Sequence, residues 1–226
     1  MADRIIFGKL TGSTLKIIAL LTMLTDHIAA FLIHYDRYPA VYYVMRNIGR
    51  ISFPIFCFLI VEGYFHTSDI KKYMLRLAAF GIISEMPFDL ALTGLNNKSI
   101  LHQNVFFTLL LGLAVVWFID NNKNNVIIHC LAIWVGCVAA VLFKTDYSCF
   151  GVIQIIMFYY FRNVRLYRIA GIILLNMFMG QPAGAASLLF IENYNGKRGL
   201  KLKYLMYAFY PVHLLIIGIA AEIMRR

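Results

Sequence analysis

Asp26 and His27 stand next to each other inside an apolar stretch that runs from about Leu15 to Ile33. A carboxylate and an imidazole are costly in the hydrocarbon of a bilayer, at about 2.5–3.5 kcal/mol for Asp on insertion scales. Such a pair persists where it faces a protein interior or a water-filled cavity. We therefore interpret Asp26 and His27 as part of a functional site. The alternative is a buried pair that only holds helices together.

The composition around this pair is that of an integral membrane protein. Hydrophobic residues make up 61% of the 226 residues and charged residues only 14%, whereas a soluble domain carries about 25% charged residues. We expect a multi-pass protein of the cell membrane with one all-α domain, residues 1–226, folded as a polytopic transmembrane helical bundle. About nine apolar segments are candidate spans, near residues 13–34, 44–65, 73–92, 104–119, 126–143, 148–161, 167–180, 183–194 and 204–223. The seventh and eighth meet at a run of helix breakers, Gly180 to Gly184, which predicts a tight turn or a re-entrant dip.

The basic residues favour a cytoplasmic N-terminus. With that orientation about two thirds of the 21 Lys and Arg residues, Arg4 among them, lie at the inner ends of the segments, and the others, including Lys98, lie outside. This asymmetry follows the positive-inside rule. It explains most of the net charge of +10, so the partner it indicates is the lipid bilayer and not nucleic acid. The first apolar stretch is too long for a cleavable signal, and we expect it to remain as the first span.

Motifs for common cofactors do not occur. The four cysteines, Cys57, Cys130, Cys137 and Cys149, show no CxxC spacing, and no HExxH sequence is present. No metal or redox site is therefore predicted. A glycine-rich phosphate loop is also missing, which argues against nucleotide hydrolysis.

Asp26 is expected to pair with a basic residue from another helix, because side chains of adjacent helical residues such as His27 diverge by about 100°. The candidates are Arg46 and Arg50, one helical turn apart at the outer start of the second segment. Two guanidiniums on one face can bind carboxylates or other anions bidentately. Arg46 has the alternative of snorkelling to the outer headgroups, whereas the deeper position of Arg50, beside Gly49, favours a buried partner.

Two further segments carry polar residues at a similar depth. Glu85 and Asp89 are one turn apart on the third segment, and Pro87 between them is expected to weaken the helix and free carbonyl groups. Asn104 and Thr108 share one face at the start of the fourth segment. Convergence of several segments at one level predicts a polar cavity.

The last segment adds His213, which follows Pro211 and shares a stripe with Tyr207 and Tyr210. An aromatic stripe is more often packing or an interfacial belt than a site. His213 is either a satisfied core histidine or a second histidine of the cavity.

These stretches resemble the TraX family of membrane proteins. The resemblance extends in order over nearly the whole chain, through Leu15 to His27, Ile48 to Phe56 with Glu62-Gly63, Ser84 to Asp89, Asn104 to Leu109, and Tyr207 to His213. That family includes the protein that N-acetylates conjugative pilin, and it is similar to the wider group of transmembrane acyltransferases. The resemblance implies transfer of an acetyl or related acyl group from cytosolic acetyl-CoA, or another acyl-CoA, to an amine or hydroxyl at or across the membrane. It does not identify the acceptor. A protein, for example at its N-terminus, a peptide and a glycan are all candidates.

The residues suit such a transfer. His27 could act as a general base near neutral pH or form a transient acyl-imidazole. Asp26 or Glu85 would stabilise charge or orient a histidine, and His213 would be a second catalytic histidine. Arg50 would hold Asp26 ionised or contact the thioester oxygen. The residues assigned to binding the acceptor are Arg46, Asp89, Asn104, Thr108 and Tyr210.

The phosphates of CoA would need cations at the inner face. The candidates are Lys71, Lys72, Arg162, Arg165, Lys197 and Arg198. Membrane orientation alone also explains each of them.

Two other functions fit the same residues. A proton-coupled carrier could use Asp26, His27, Glu85 and Asp89 as a relay, but it would be favoured by corresponding broken segments in two repeated halves, and no repeat is present. A non-enzymatic assembly factor for surface proteins would need these side chains only for stability.

Overall fold

The structure, a computed structural model, describes residues 8–94 and 102–225. Arg4 and Lys98, which entered the orientation argument, lie outside the described residues. Within those two ranges the chain is helical and has no strand, only two isolated bridges, so the all-α prediction is confirmed. The helices are α1 (Gly12–Leu32), α2 (Pro39–Gly49), α3 (Ser52–His66), α4 (Ile70–Thr93), α5 (Val105–Asn121), α6 (Val126–Leu142), α7 (Ser148–Tyr160), α8 (Arg165–Phe178), α9 (Leu188–Ile191) and α10 (Lys203–Arg225), with a 3-10 helix, Pro182–Ser187, before α9.

Within the described part of the chain, three helical stretches are long and apolar enough to cross a membrane. They are Gly12–Leu32, the α2–α3 stretch Pro39–His66, and Tyr204–Met224. A helix of 21 residues is about 32 Å long at 1.5 Å per residue, close to the roughly 30 Å of bilayer hydrocarbon. Helices α5, α6 and α7 are apolar but shorter. The count of about nine spans and the cytoplasmic N-terminus therefore stay predictions.

The second predicted segment is interrupted where α2 meets α3. Pro54 has no N–H to donate to the carbonyl of Arg50, four residues earlier, and α3 begins anew at Ser52. Pro87 and Pro211, by contrast, lie inside continuous helices. Arg50 and Ile51 keep right-handed helical dihedrals, so α2 and α3 together form one apolar stretch, Pro39–His66.

The eighth predicted segment is a short helical stretch. Helix α8 ends in a Schellman motif, in which Gly180 has φ +66° and the N–H of Gln181 bonds to the carbonyl of Asn176 at 2.8 Å. The 3-10 helix and α9 that follow span residues 182–191, about 15–20 Å at helical rises. That length is less than the hydrocarbon thickness, so this stretch does not cross a bilayer alone.

Helix α3 lies at the centre of the bundle, against α1, α5, α7 and the 3-10 helix, while α10 packs along α4 and α1. The N-terminal end of α1 is closed by the loop before α10. The N–H groups of Gly12 and Ser13 donate to the carbonyls of Lys197 and Arg198 at 2.8 and 2.9 Å, which satisfies helix donors that would otherwise be unpaired. This contact fixes Arg198 beside the first turn of α1.

Candidate functional site

Polar side chains from α1, α2, α4, α5, α10 and the α6–α7 connection converge within the bundle. We call this group the polar cluster. It consists of Asp26, His27, Arg46, Arg50, Glu85, Asn104, Asp146, Tyr147, Tyr210 and His213.

The two predicted histidines of the cluster are in direct contact. Nδ1 of His27 lies 2.7 Å from Nε2 of His213, and the two rings are parallel within 3°. Nδ1 of His213 lies 2.6 Å from the carbonyl oxygen of Phe209, one turn back on α10. A carbonyl oxygen only accepts, so Nδ1 of His213 carries a proton. In a neutral pair Nε2 of His213 then accepts the Nδ1 proton of His27, and Nε2 of His27 keeps a free lone pair.

Asp26 is paired with a guanidinium, and the partner is Arg46. Nη1 of Arg46 donates to Oδ2 of Asp26 at 2.6 Å, with the two side chains 23% and 14% exposed. The second carboxylate oxygen, Oδ1, is buried and has no hydrogen-bond partner among the described residues. Arg50, for which we expected a buried partner, faces the hydroxyl of Tyr147. It also lies within electrostatic range of Asp26, so both arginines belong to the cluster.

The two acidic residues of α4, Glu85 and Asp89, differ in their hydrogen bonding. Glu85 accepts hydrogen bonds from the backbone N–H of Asn104, at 3.0 Å, and from its side-chain amide. Asn104 also caps α5 by accepting the N–H of Phe106 at 3.0 Å. Oδ1 of Asp89 is buried without a hydrogen-bond partner in the described part of the chain. Thr108 is fully buried and accepts the backbone N–H of Tyr147, so Asn104 and Thr108 are occupied by contacts within the protein.

Asp146 and Tyr147 also belong to the cluster, although no pattern in the sequence indicates it. They lie between Lys144 and Ser148, whose φ angles of 49° and 47° are rare for residues with a side chain. The ring of Tyr147 stacks on Phe53 with centroids 3.4 Å apart. Strained backbone of this kind clusters at functional sites. Asp146 is exposed at the edge of the cluster, whereas Tyr147 packs against Phe53.

The charge of Asp146 is set by its surroundings. Its carboxylate lies 3.9 Å from Nε2 of His102 and within electrostatic range of Asp26, Arg46 and Arg50. Although 33% of the side chain is exposed, the surrounding protein raises the pKa of Asp146 to about 6. Among residues 8–94 and 102–225, no three His, Cys, Asp or Glu side chains gather as a metal site would require.

A cavity of about 570 Å³ opens between α1, α3, α4 and α10 at the end of the bundle that holds the α1 N-terminus. Four cations line it: Lys16, Lys72, Arg76 and Arg198. Nε of Arg76 is buried and has no hydrogen-bond partner among the described residues. The inner walls are apolar, formed by residues such as Leu20, Leu59, Ile60, Phe106 and Leu109. A ligand with an anionic end and a less polar end would match this distribution.

The structure brings two of the six predicted CoA-binding cations to this cavity, namely Lys72 and Arg198. Lys71 and Lys197 are not in its lining. Arg162 forms an ion pair with Glu62 at 2.7 Å, and Arg165 forms one with Glu192 at 3.0 Å. Sequence reasoning missed Lys16 and Arg76 as cavity residues, although the i,i+4 spacing of Lys72 and Arg76 puts them on one helix face.

Tyr210 connects the cavity to the polar cluster. It is 3% exposed and lines the cavity, and its ring centroid lies 6.0 Å from that of His27 and 5.6 Å from that of His213. His27 itself is not in the cavity lining. A group that reached the histidines from the cavity would therefore pass beside Tyr210.

Comparisons with known proteins agree on one family. A family model described as TraX protein matches residues 11–221. A protein of Dichelobacter nodosus, named as a probable fimbrial assembly protein, FimC of serogroup H1, is 28% identical over 90% of this chain and 92% of its own length. An uncharacterized protein of Rickettsia prowazekii (strain Madrid E) is 29% identical over 49% of this chain and 38% of its own length. No solved structure matches the chain significantly.

Proposed function

Because the chain belongs to the TraX family, we propose that it is an integral membrane acyltransferase. It takes an acetyl or related acyl group from acyl-CoA and transfers it to an amine or hydroxyl acceptor at or across the cell membrane. The acceptor is a protein, for example at its N-terminus, a peptide or a glycan. Its N-terminus is cytoplasmic, so that the cavity mouth, which adjoins the start of α1, faces the cytosol and its acyl-CoA.

The observation that carries this proposal is that Tyr210 lines the cavity and also contacts both histidines of the pair. The cavity has cations at one end, and at the other it reaches Tyr210, which contacts His27 and His213. Acyl-CoA has the matching polarity, with phosphates at one end and the thioester at the other. Bound with its phosphates at the mouth, it would present the thioester at the end nearest His27.

The mouth is suited to phosphate. Arg76 lies one turn deeper than Lys72 on α4, and Lys16 and Arg198 face them from α1 and the loop before α10. The buried Nε of Arg76, unpaired among the described residues, is a donor that a phosphate oxygen or a pantetheine carbonyl could accept. Asp69 and Glu62 also line the cavity, but Glu62 is bonded to Arg162 and Asp69 lies 3.2 Å from Lys72.

His27 carries the chemistry in this proposal. With its Nδ1 proton donated to His213, Nε2 has a lone pair. That lone pair either removes a proton from the acceptor or attacks the thioester to form an acyl-imidazole. His213 then stabilises the positive charge that develops on His27, because its Nε2 already accepts the Nδ1 proton. The Asp26–Arg46 pair holds α1 and α2 in register beside His27.

The name of the Dichelobacter relative favours a second candidate, a non-enzymatic role in assembling fimbriae or other surface proteins. In that role the polar cluster would be needed only for stability. Carrier activity, the other alternative, would require solute flux without acyl-CoA.

The test uses purified full-length protein in lipid vesicles with radiolabelled acetyl-CoA and a panel of amine and hydroxyl acceptors. Wild type is expected to label at least one acceptor, and His27→Ala, with unchanged Tm, to lose the transfer. Equal background labelling by the two proteins would contradict the proposal. His129→Gln is the matched control, since His129 bonds Tyr160 at 2.9 Å, away from the polar cluster.

A further inference from the structure

We propose that the hydroxyl of Tyr210 donates the hydrogen bond that stabilises the negative charge on the acyl carbonyl oxygen during transfer. This inference rests on the proposed acyl transfer. It assigns a catalytic role to a residue that the sequence placed only among acceptor-binding candidates.

The position of Tyr210 is the first support. Its ring stands between the cavity and the histidines, with edge-to-face contacts at centroid distances of 6.0 Å to His27, 5.6 Å to His213 and 5.2 Å to Phe106. Any thioester that approaches Nε2 of His27 from the cavity therefore lies against Tyr210. A donor in this position is near both the nucleophile and the carbonyl.

The hydroxyl is also polarised. The backbone N–H of Val105 faces its oxygen. Val105 is the first residue of α5, and the neighbouring N–H of Phe106 is already bonded to the cap residue Asn104. An oxygen that accepts from the positive end of a helix is a stronger donor through its own proton.

The competing donor is Arg50, which we expected to contact the thioester oxygen. Arg50 is not in the cavity lining, and its guanidinium faces Tyr147. It would stabilise charge from a distance, whereas Tyr210 can touch the oxygen that develops it. The geometry therefore favours Tyr210 for this hydrogen bond.

The step balances in both routes. The nucleophile, either Nε2 of His27 or the acceptor atom, bonds to the carbonyl carbon, and the C=O π electrons move to the oxygen, which accepts the Tyr210 hydrogen bond. When the π bond reforms, the C–S bond breaks and its electrons leave on sulfur. The proton lost by the nucleophile, from the acceptor or from Nδ1 of His27, ends on that sulfur to give CoA–SH. The proton of Tyr210 stays on Tyr210.

The test is Tyr210→Phe in the full-length protein in vesicles, with acetyl-CoA and an acceptor that wild type uses. Loss of one oxyanion donor is expected to lower kcat about 10²–10³-fold. The Kd for CoA without an acyl group should be unchanged, because CoA has no thioester oxygen. Tyr159→Phe is the matched control, since it loses a hydroxyl bonded to Asp120 at 2.6 Å outside the cavity.

The outcomes separate the two proposals. If wild type transfers no acyl group, both the proposed function and this inference are contradicted. If wild type is active and folded Tyr210→Phe keeps its kcat within about threefold, the role of Tyr210 alone is overturned. Should Tyr210→Phe fail to fold, a fluorinated tyrosine at position 210 keeps the ring and the hydroxyl. The pH above which its activity falls should then be lower than that of wild type, because a phenolate cannot donate a hydrogen bond. Identical pH profiles of the two proteins would overturn the inference.

Discussion

Asp26 fills the space that a side chain on Gly49 would need. A Cβ atom added to Gly49 would overlap Cβ and Oδ1 of Asp26, so only glycine lets α2 approach α1 this closely. The same approach brings Arg46, one turn earlier on α2, to within 2.6 Å of Asp26. The ion pair therefore depends on a residue that carries no chemistry of its own.

Gly49→Ala is expected to push α2 away from α1 and break the Asp26–Arg46 pair. Overpacking of this kind costs about 1–3 kcal/mol in the free energy of unfolding, which a lower Tm in detergent would report. Gly81→Ala is the control, because its Cβ would come no closer than 3.3 Å to the ring of Phe107 and 3.4 Å to Cβ of Phe106, and alanine favours a helix. Equal Tm values for the two variants would contradict the prediction.

The Asp26–Arg46 pair can be tested by a double-mutant cycle with Asp26→Asn and Arg46→Gln. Breaking a buried ion pair costs 3–5 kcal/mol, and exposures of 14% and 23% reduce the expectation to about 2–3 kcal/mol. Each single variant leaves an unpaired group, so the double variant should lose less than the sum. Arg165→Gln should cost no more than about 1 kcal/mol, since Arg165 is 75% exposed. Strict additivity at Asp26 and Arg46 would show that the pair contributes nothing.

The sequence identified much of the polar cluster because intramembrane charges are rare and expensive. Asp26, His27, Glu85 and His213 stood out against apolar neighbours, and helical spacing correctly required a basic partner for Asp26 from another helix. The choice between Arg46 and Arg50 depended on how α2 packs against α1, which the spacing does not give. Asp146 and Tyr147 lie in a loop, where no periodicity exists, and only tertiary contacts and positive φ angles nearby bring them into the cluster.

The predicted CoA-binding cations were harder to interpret for a different reason. The cytoplasmic ends of membrane helices are enriched in Lys and Arg whether or not these residues bind a ligand. Arg162 is paired with Glu62 and Arg165 with Glu192. Each pair joins two segments that are separated in the sequence. Only packing distinguishes such structural cations from those that line a cavity.

Adjacent lysines at the start of α4 provide a test of the cavity. Lys72 lines it and Lys71 does not. Lys72→Gln and Arg76→Gln should each raise the Kd for acyl-CoA about 10–150-fold, as expected for one charged hydrogen bond of roughly 1.5–3 kcal/mol. Lys71→Gln should change it less than twofold. Titration calorimetry at two salt concentrations would check this, and equal effects at positions 71 and 72 would argue for non-specific surface charge.

The raised pKa of Asp146 predicts a pH-dependent stability. Since burial raises this pKa from 3.8 to about 6, the folded state binds the proton more tightly than the unfolded chain. The contribution of Asp146 is therefore most favourable below about pH 4 and is lost as the pH rises through 6. The Tm of wild type minus that of Asp146→Asn should fall across this range. A flat difference would show that His102, Arg46 and Arg50 already compensate the ionised carboxylate.

The hydrogen bond between His27 and His213 gives the sharpest test of how His27 works. His213→Ala removes the acceptor of the Nδ1 proton of His27. Because Nε2 of His27 is then no longer kept unprotonated, kcat should fall about 10²–10⁴-fold. His213→Gln supplies a carbonyl oxygen that can accept the same proton and should recover part of that loss, whereas a merely space-filling role would give no advantage over His213→Leu. The measurements are kcat, KM for acetyl-CoA and Tm for all three variants. KM should change little, because His213 is not in the cavity lining. If Gln and Leu at position 213 give equal kcat values at equal Tm, the proton arrangement inferred for the pair is wrong.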